Sequence, residues 1–185
     1  MVSRGNLEGF YYRPRIDKEI LKEHSEGLIV LSGCPSAELF KKIVSGDEKS
    51  IMNTINWYKD VFGDDYYLEI MRHEHVDNQE KVNQWIINNY KELNVKIVAT
   101  NDNHYETKDD YEKEILLKNV RSGSSNPRSD ILEDNSYYIA GPEEMREKFK
   151  DIPEACDNTL EIAEKCNVEI DLSLIHIWRC RRVLR

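Results

Sequence analysis

Three short apolar runs punctuate an otherwise polar chain, at residues 27–31 (Gly-Leu-Ile-Val-Leu), 66–71 (Tyr-Tyr-Leu-Glu-Ile-Met) and 95–100 (Val-Lys-Ile-Val-Ala-Thr). The first and last are rich in β-branched residues and end in small or polar ones, so all three read as buried strands. Between them the apolar spacing changes to that of helices. Ile51, Ile55, Tyr58 and Phe62 recur on one helical face and Gly63 ends the pattern. Val82, Trp85, Ile86, Tyr90 and Leu93 form a second stripe, on a helix predicted over residues 78–92. Asp17 is placed to cap a short helix reaching His24, and Ser36 opens another that runs to about Val44. Ser45-Gly46-Asp47-Glu48 has the spacing of a capping box.

Strands alternating with helices in this way predict parallel βαβ units, hence an α/β fold, either a barrel or an open sheet. In both, chemistry gathers at the C-terminal ends of the strands. The residues there are Ser32-Gly33-Cys34, Arg72-His73-Glu74-His75 and Asn101-Asp102-Asn103-His104. Beyond Thr107 the character changes. A charged helix is predicted over residues 109–120, then a loop at Ser122-Gly123-Ser124-Ser125-Asn126-Pro127 and a short strand at Tyr137-Tyr138-Ile139. Pro142 and Pro153 each open a helix, the second carrying Ala155, Leu160, Ile162 and Ala163.

The 185 residues suffice for one domain with a core, and no apolar run approaches the roughly 18 residues that cross a bilayer. Nothing at the N-terminus has the order of an export signal, so a cytoplasmic location and no membrane partner are expected. The net charge is −9, and four arginines (Arg179, Arg181, Arg182, Arg185) crowd the last residues, leaving the remainder more acidic still. Such a surface repels phosphate backbones, so any nucleic-acid role rests on a local site or on other parts of a larger protein. Walker A, dinucleotide-binding and nucleophile-elbow motifs are all missing, which removes support for nucleotide-hydrolase and serine-hydrolase readings.

Asp102-Asn103-His104 directly follows a predicted buried strand. In extended geometry both side chains of a D-x-H tripeptide fall on one face, where a carboxylate and an imidazole can share one metal ion or bridge two. The competing reading makes Asp102 a helix cap beside an incidental histidine. Cys34, behind Gly33, offers a thiolate to a zinc-like ion or is a structural cysteine. The four cysteines form no C-x-x-C pair, and Cys156 and Cys166 read as core fillers. His73 and His75 form an H-x-H pair, but with Arg72 and Glu74 beside them they fit a solvated turn better. Phe10, Tyr11 and Tyr12 with Arg13-Pro14-Arg15 are aromatic and basic enough to touch nucleic acid, or else form a packed loop.

Several stretches, in order, resemble one family. They are residues 7–17 (LEGFYYRPRID), 26–35 (EGLIVLSGCP), 99–105 (ATNDNHY), 142–145 (PEEM) and 152–163 (IPEACDNTLEIA). The chain is similar there to the alpha subunits of bacterial DNA polymerase III, the C-family replicative polymerases. The resemblance runs from about residue 2 to residue 170. It implies the second half of a polymerase and histidinol phosphatase (PHP) domain, a distorted (β/α)7 barrel, over residues 1–122. Residues 123–171 would then be the end of that domain and a helical connection toward the polymerase palm. By motif match Cys34, Asp102 and His104 align with three metal ligands of the family, implying zinc or similar divalent ions and, where the full set is present, a 3′–5′ exonuclease. The remaining ligands would lie upstream, and a magnesium-dependent palm downstream. Primer-template DNA, deoxynucleoside triphosphates, a sliding clamp and other replisome subunits are the implied partners. A stand-alone metal-dependent phosphoesterase and a non-catalytic structural module are the alternatives. Residues 172–185 resemble a translated sequencing adapter, with UGA read as tryptophan at Trp178, and are expected to be foreign to the fold.

Overall fold

The computed structural model describes residues 1–122 and 135–169. Helix α1 (Val2–Leu7) and α2 (Lys18–Glu23) precede strand β1 (Val30–Leu31). Helices α3 (Glu38–Ser45) and α4 (Glu48–Phe62) lead to β2 (Tyr66–Ile70), and α5 (Gln79–Leu93) leads to β3 (Lys96–Ala99). Then come α6 (Tyr111–Ser122), α7 (Pro142–Lys148) and α8 (Glu154–Lys165). The strands form one parallel sheet in the order β1-β2-β3, with Val30 opposite Tyr66 and Leu68 opposite Ile97. The expected parallel α/β arrangement is therefore present. Residues 123–134, which hold most of the predicted loop, and the tail 172–185 lie outside the described residues.

A period of two divides the sheet. Tyr66, Leu68 and Ile70 of β2 and Ile97 and Ala99 of β3 join one apolar cluster with Leu39 and Ile43 of α3, Ile51 and Ile55 of α4, and Val82 and Ile86 of α5. Tyr67, Glu69 and Val98 alternate with them and take the other face. Both faces of β2 and β3 are covered, as continuous apolar strands require. Helix α8 closes the outer side of β3, where Asn158 Nδ2 donates to the Ile97 carbonyl at 2.7 Å. That satisfies a group an edge strand would leave open. Strand β1 is shorter than the run 27–31 predicts and only half-buried, because it is paired with β2 alone among the described strands.

Local signals account for some helix ends, although α3 starts after Ala37 with no side-chain cap from Ser36. Asp17 Oδ1 accepts from Ile20 N at 2.8 Å, as an N-cap should. The capping box at Ser45–Glu48 does not form. Gly46, at φ +75°, ends α3 by donating to the Ile43 and Lys42 carbonyls, and Ser45 Oγ turns back to Lys42 O. Asp47 caps α4 instead, accepting from Ser50 N at 3.1 Å. One helix thus stops and the next starts within two residues, a geometry the four-residue box cannot accommodate. The proposed strand at residues 137–139 reduces to a single parallel bridge between Tyr105 and Tyr138. In α8, Ala155 is buried but Leu160 is 60% exposed, so the stripe along that helix is narrower than its apolar residues suggest. Cys156 is buried as expected, whereas Cys166 sits at the helix end and is exposed. Among the described residues no helix is long and apolar enough to cross a membrane.

Candidate functional site

The C-terminal ends of the three parallel strands converge on one polar region. After β1, Ser32 N donates to Tyr67 O at 2.9 Å, carrying the pairing one residue past the strand. After β3, Thr100 N donates to Ile70 O at 3.1 Å. Between these two loops, at the centre, Glu69 projects from β2. Its Oε2 accepts from Gly33 N at 3.0 Å and its Oε1 from Thr100 Oγ1 at 2.6 Å. Its own N–H donates to Ser32 Oγ at 2.8 Å. Burial raises the Glu69 carboxyl above the usual carboxylate range; the Thr100 and Gly33 hydrogen bonds oppose the rise and the charge of Asp102 adds to it.

Past Thr100, the backbone of Asp102 enters the left-handed region at φ +45°. Aspartate tolerates that conformation better than most residues, and such strain gathers at functional sites. The kink leaves Asp102 Oδ1 3.5 Å from His104 Nε2, with both side chains 37% exposed. No helix starts at Asp102; the next cap is Thr107, which opens a single 3-10 turn. The helix-cap reading of Asp102 is thereby removed.

A strap formed by residues 135–139 lies across the ends of β2 and β3. Asn101, buried, donates through Nδ2 to the carbonyls of Ser136 at 2.8 Å and Tyr138 at 2.9 Å, while its Oδ1 accepts from Lys148 Nζ at 2.7 Å. His104 N donates to Tyr137 O at 2.8 Å. The Tyr137 ring stacks on His73, with centroids 4.2 Å apart, and meets His104 edge-on at 5.6 Å. Its hydroxyl is 2.8 Å from His75 Nε2, and Ser136 Oγ is 2.8 Å from His73 Nδ1. His73 is only 4% exposed, so the solvated-turn expectation fails for it, whereas Glu74 is exposed and the half-buried His75 does sit in a turn. Arg72, which suggested solvent, turns onto the Phe149 ring at 5.0 Å and pairs with Asp151 at 2.6 Å. An open cleft of about 480 Å³ beside the strap has mixed charge, with Arg72, Lys108 and Lys148 facing Glu74, Glu144 and Glu147. It offers no continuous basic track for a phosphate backbone.

Zinc held by nitrogen and oxygen at about 2.0–2.2 Å in tetrahedral geometry separates two of its donors by roughly 3.4 Å. The Asp102–His104 spacing fits that donor set. Cys34 lies in the loop after β1, on the far side of β2 from β3 and one residue past Gly33, and among the described residues no three potential ligands gather into one group. The structure thus brings Asp102 and His104 together and does not close Cys34 onto them. Glu69, Asn101 and Tyr137 were not singled out as site residues from sequence. A carboxylate inside an apolar strand was the one available signal, and it pointed to Glu69. Elsewhere, Phe10, Tyr11 and Tyr12 are 61%, 63% and 82% exposed, so these side chains are not packed into the described residues.

Comparison with known proteins finds a match to the PHP domain model over residues 1–73, which includes Cys34 and ends before Asp102 and His104. The DNA polymerase III subunit alpha of Borreliella burgdorferi is 41% identical over 169 residues, covering 90% of this chain and 15% of that protein. Those of Helicobacter pylori and Thermus aquaticus are 40% and 36% identical over 93% and 98% of the chain. The chain spans about 15% of the length of each of these three relatives.

Proposed function

This chain belongs to the family of DNA polymerase III alpha subunits, and on that premise we propose that it serves template-directed DNA synthesis as part of a replicative polymerase. In this reading the three parallel strands are part of a PHP barrel, and α7 and α8 lead toward a magnesium-dependent palm. Primer-template DNA, deoxynucleoside triphosphates, a sliding clamp and other replisome subunits are the partners, and the setting is cytoplasmic. The stand-alone phosphoesterase is disfavoured, because the likeness to polymerases continues through 90% or more of the chain.

Within that polymerase the strand ends are assigned a hydrolytic role at a 3′ terminus. The observation that carries this is the Asp102–His104 pair at the C-terminal end of β3. Asp102 and His104 would hold zinc or a similar divalent ion, with Cys34 as a third donor from the loop after β1, across β2. Bound there, such an ion supplies Lewis-acid activation of a phosphodiester and of water near neutral pH. The protein's own part is orientation. Tyr137 fixes the backbone of His104, and Asn101 anchors Tyr137's segment through both flanking carbonyls. The strap also restricts solvent access to His73 behind it.

The test uses the full-length polypeptide. A zinc-selective chelator with magnesium kept in excess, and separately Cys34→Ala and His104→Ala, should abolish 3′–5′ hydrolysis of a labelled primer and lower zinc content while leaving magnesium-dependent primer extension in place. Unchanged zinc content and hydrolysis in both variants would overturn the site assignment. A non-catalytic module is the second reading, favoured by the lack of a three-ligand group among the described residues. It predicts primer extension with no metal-dependent hydrolysis in the parent protein.

A further inference from the structure

We infer that Glu69 is a positioning residue, a bracket that sets the distance between the loop carrying Cys34 and the loop carrying Asp102; this rests on the metal reading above. Glu69 lies on the central one of the three described strands, near its C-terminal end, with a parallel neighbour on each side. Each carboxylate oxygen is committed to a different loop, Oε2 to Gly33 N and Oε1 to Thr100 Oγ1. Gly33 is adjacent to Cys34, and Thr100 stands two residues before Asp102. The backbone N–H of Glu69 grips the same β1 loop a second time through Ser32 Oγ, at 2.8 Å. The same loop is also held by Ser32 N donating to Tyr67 O at 2.9 Å and by Ala37 N donating to Cys34 O at 2.8 Å, both backbone bonds. Gly33 turns at φ +88°, and a Cβ there would lie 2.8 Å from the Ala37 Cβ, so no side chain at this residue can anchor it.

An apolar residue would fill the position of Glu69 without the cost of burying a carboxylate, and its neighbours Leu68 and Ile70 are apolar. What only a carboxylate supplies is two acceptors on a rigid plane, 36 residues of chain away from one loop and 31 from the other. Residues that orient metal-ligating groups in this way act on the metal through those groups and do not touch the ion.

The inference is tested on the full-length polypeptide with zinc as the probe, by competition against a chromophoric chelator and by the absorption of the cobalt-substituted protein. Glu69→Gln keeps the volume but turns one acceptor into a donor. Thr100→Val removes one donor while leaving the strand intact, and Thr100→Ser retains it. Glu69→Gln should weaken zinc binding roughly 10- to 100-fold. Thr100→Val should weaken it in the same direction and alter the cobalt ligand-field bands. Thr100→Ser should restore both to the parent values, which a merely structural role would not require. Asp102→Asn separates the two layers. If Asp102→Asn lowers zinc affinity but Glu69→Gln and Thr100→Val bind zinc like the parent with an unchanged cobalt spectrum, the bracket is wrong and the metal site stands. If Asp102→Asn has no effect on zinc, the metal reading fails and the bracket falls with it. Should Glu69→Gln not fold, Thr100→Val against Thr100→Ser decides the matter alone.

Discussion

The two ends of the parallel sheet are latched by the same kinds of group in opposite environments. At the N-terminal end, Glu161 of α8 accepts from Lys96 at 2.6 Å and 2.7 Å and from the Tyr67 hydroxyl at 3.0 Å, and pairs with Lys165 at 3.2 Å. The charged members are one-third to one-half exposed, while the Tyr67 ring itself is buried. At the C-terminal end, Glu69 and Asn101 make their bonds in partial or full burial, to backbone and hydroxyl groups and, at Asn101 Oδ1, to Lys148. Exposed ion pairs exchange easily with water and contribute little, whereas buried polar groups are costly to leave unpaired. The exposed latch therefore fastens α8 loosely, and the buried one specifies where each loop sits. A site that needs fixed donor positions belongs at the second end.

The largest effect should come from breaking the apolar floor beneath the buried end. Phe149→Ala empties a fully buried position under the Arg72 guanidinium. It should cost about 3 to 5 kcal/mol in denaturant unfolding; a loss below about 1 kcal/mol would mean that this loop is not part of the core. Next is Asn101→Leu, which removes the hydrogen bonds that Asn101 makes to the Ser136 and Tyr138 carbonyls and to Lys148 Nζ. About 2 kcal/mol should be lost, and the His104 amide, which donates to the strap, should exchange much faster with deuterium. Tyr137→Phe is milder, about 1 kcal/mol, because it removes one hydrogen bond to His75 and keeps the stacking on His73.

The smallest effect belongs to the exposed end. Glu161→Gln should change stability by less than about 1 kcal/mol. Its signature is pH dependence. The hydrogen bond from Lys96, then those from Lys165 and Tyr67, hold the Glu161 carboxyl at about 2, below its ordinary 4.5. A depressed carboxylate stabilises the fold above its unfolded value, and that contribution drains away as pH falls from about 4.5 through about 2. Unfolding curves of the parent and Glu161→Gln should therefore converge as the pH is lowered through that window. Curves that keep a constant offset would show that Glu161 is not paired in solution.

Much of the sheet was legible because β2, β3, α4 and α5 are built from strong, unbroken periodicities. Failures came where long-range contacts override local pattern. Arg72 and Glu74 marked His73 as solvated, yet the residues that bury it, Ser136 and Tyr137, lie more than 60 positions away. The capping box failed because Gly46 already ended α3. Cys166 has the helical surroundings of a core residue and emerges at the last turn. For the site, Asp102 and His104 do lie 3.5 Å apart, but through a left-handed backbone at Asp102 and not through the extended geometry the D-x-H spacing assumed. Nothing local announced the strap, and a lone glutamate within β2 was the only trace of the bracket.

The most direct measurement is anomalous diffraction at the zinc edge on crystals of the full-length polypeptide. The site described above predicts an anomalous peak between Asp102 Oδ1 and His104 Nε2, about 2.0–2.2 Å from each. A map with zinc bound elsewhere, or with no peak between these two side chains at saturating zinc, would contradict it.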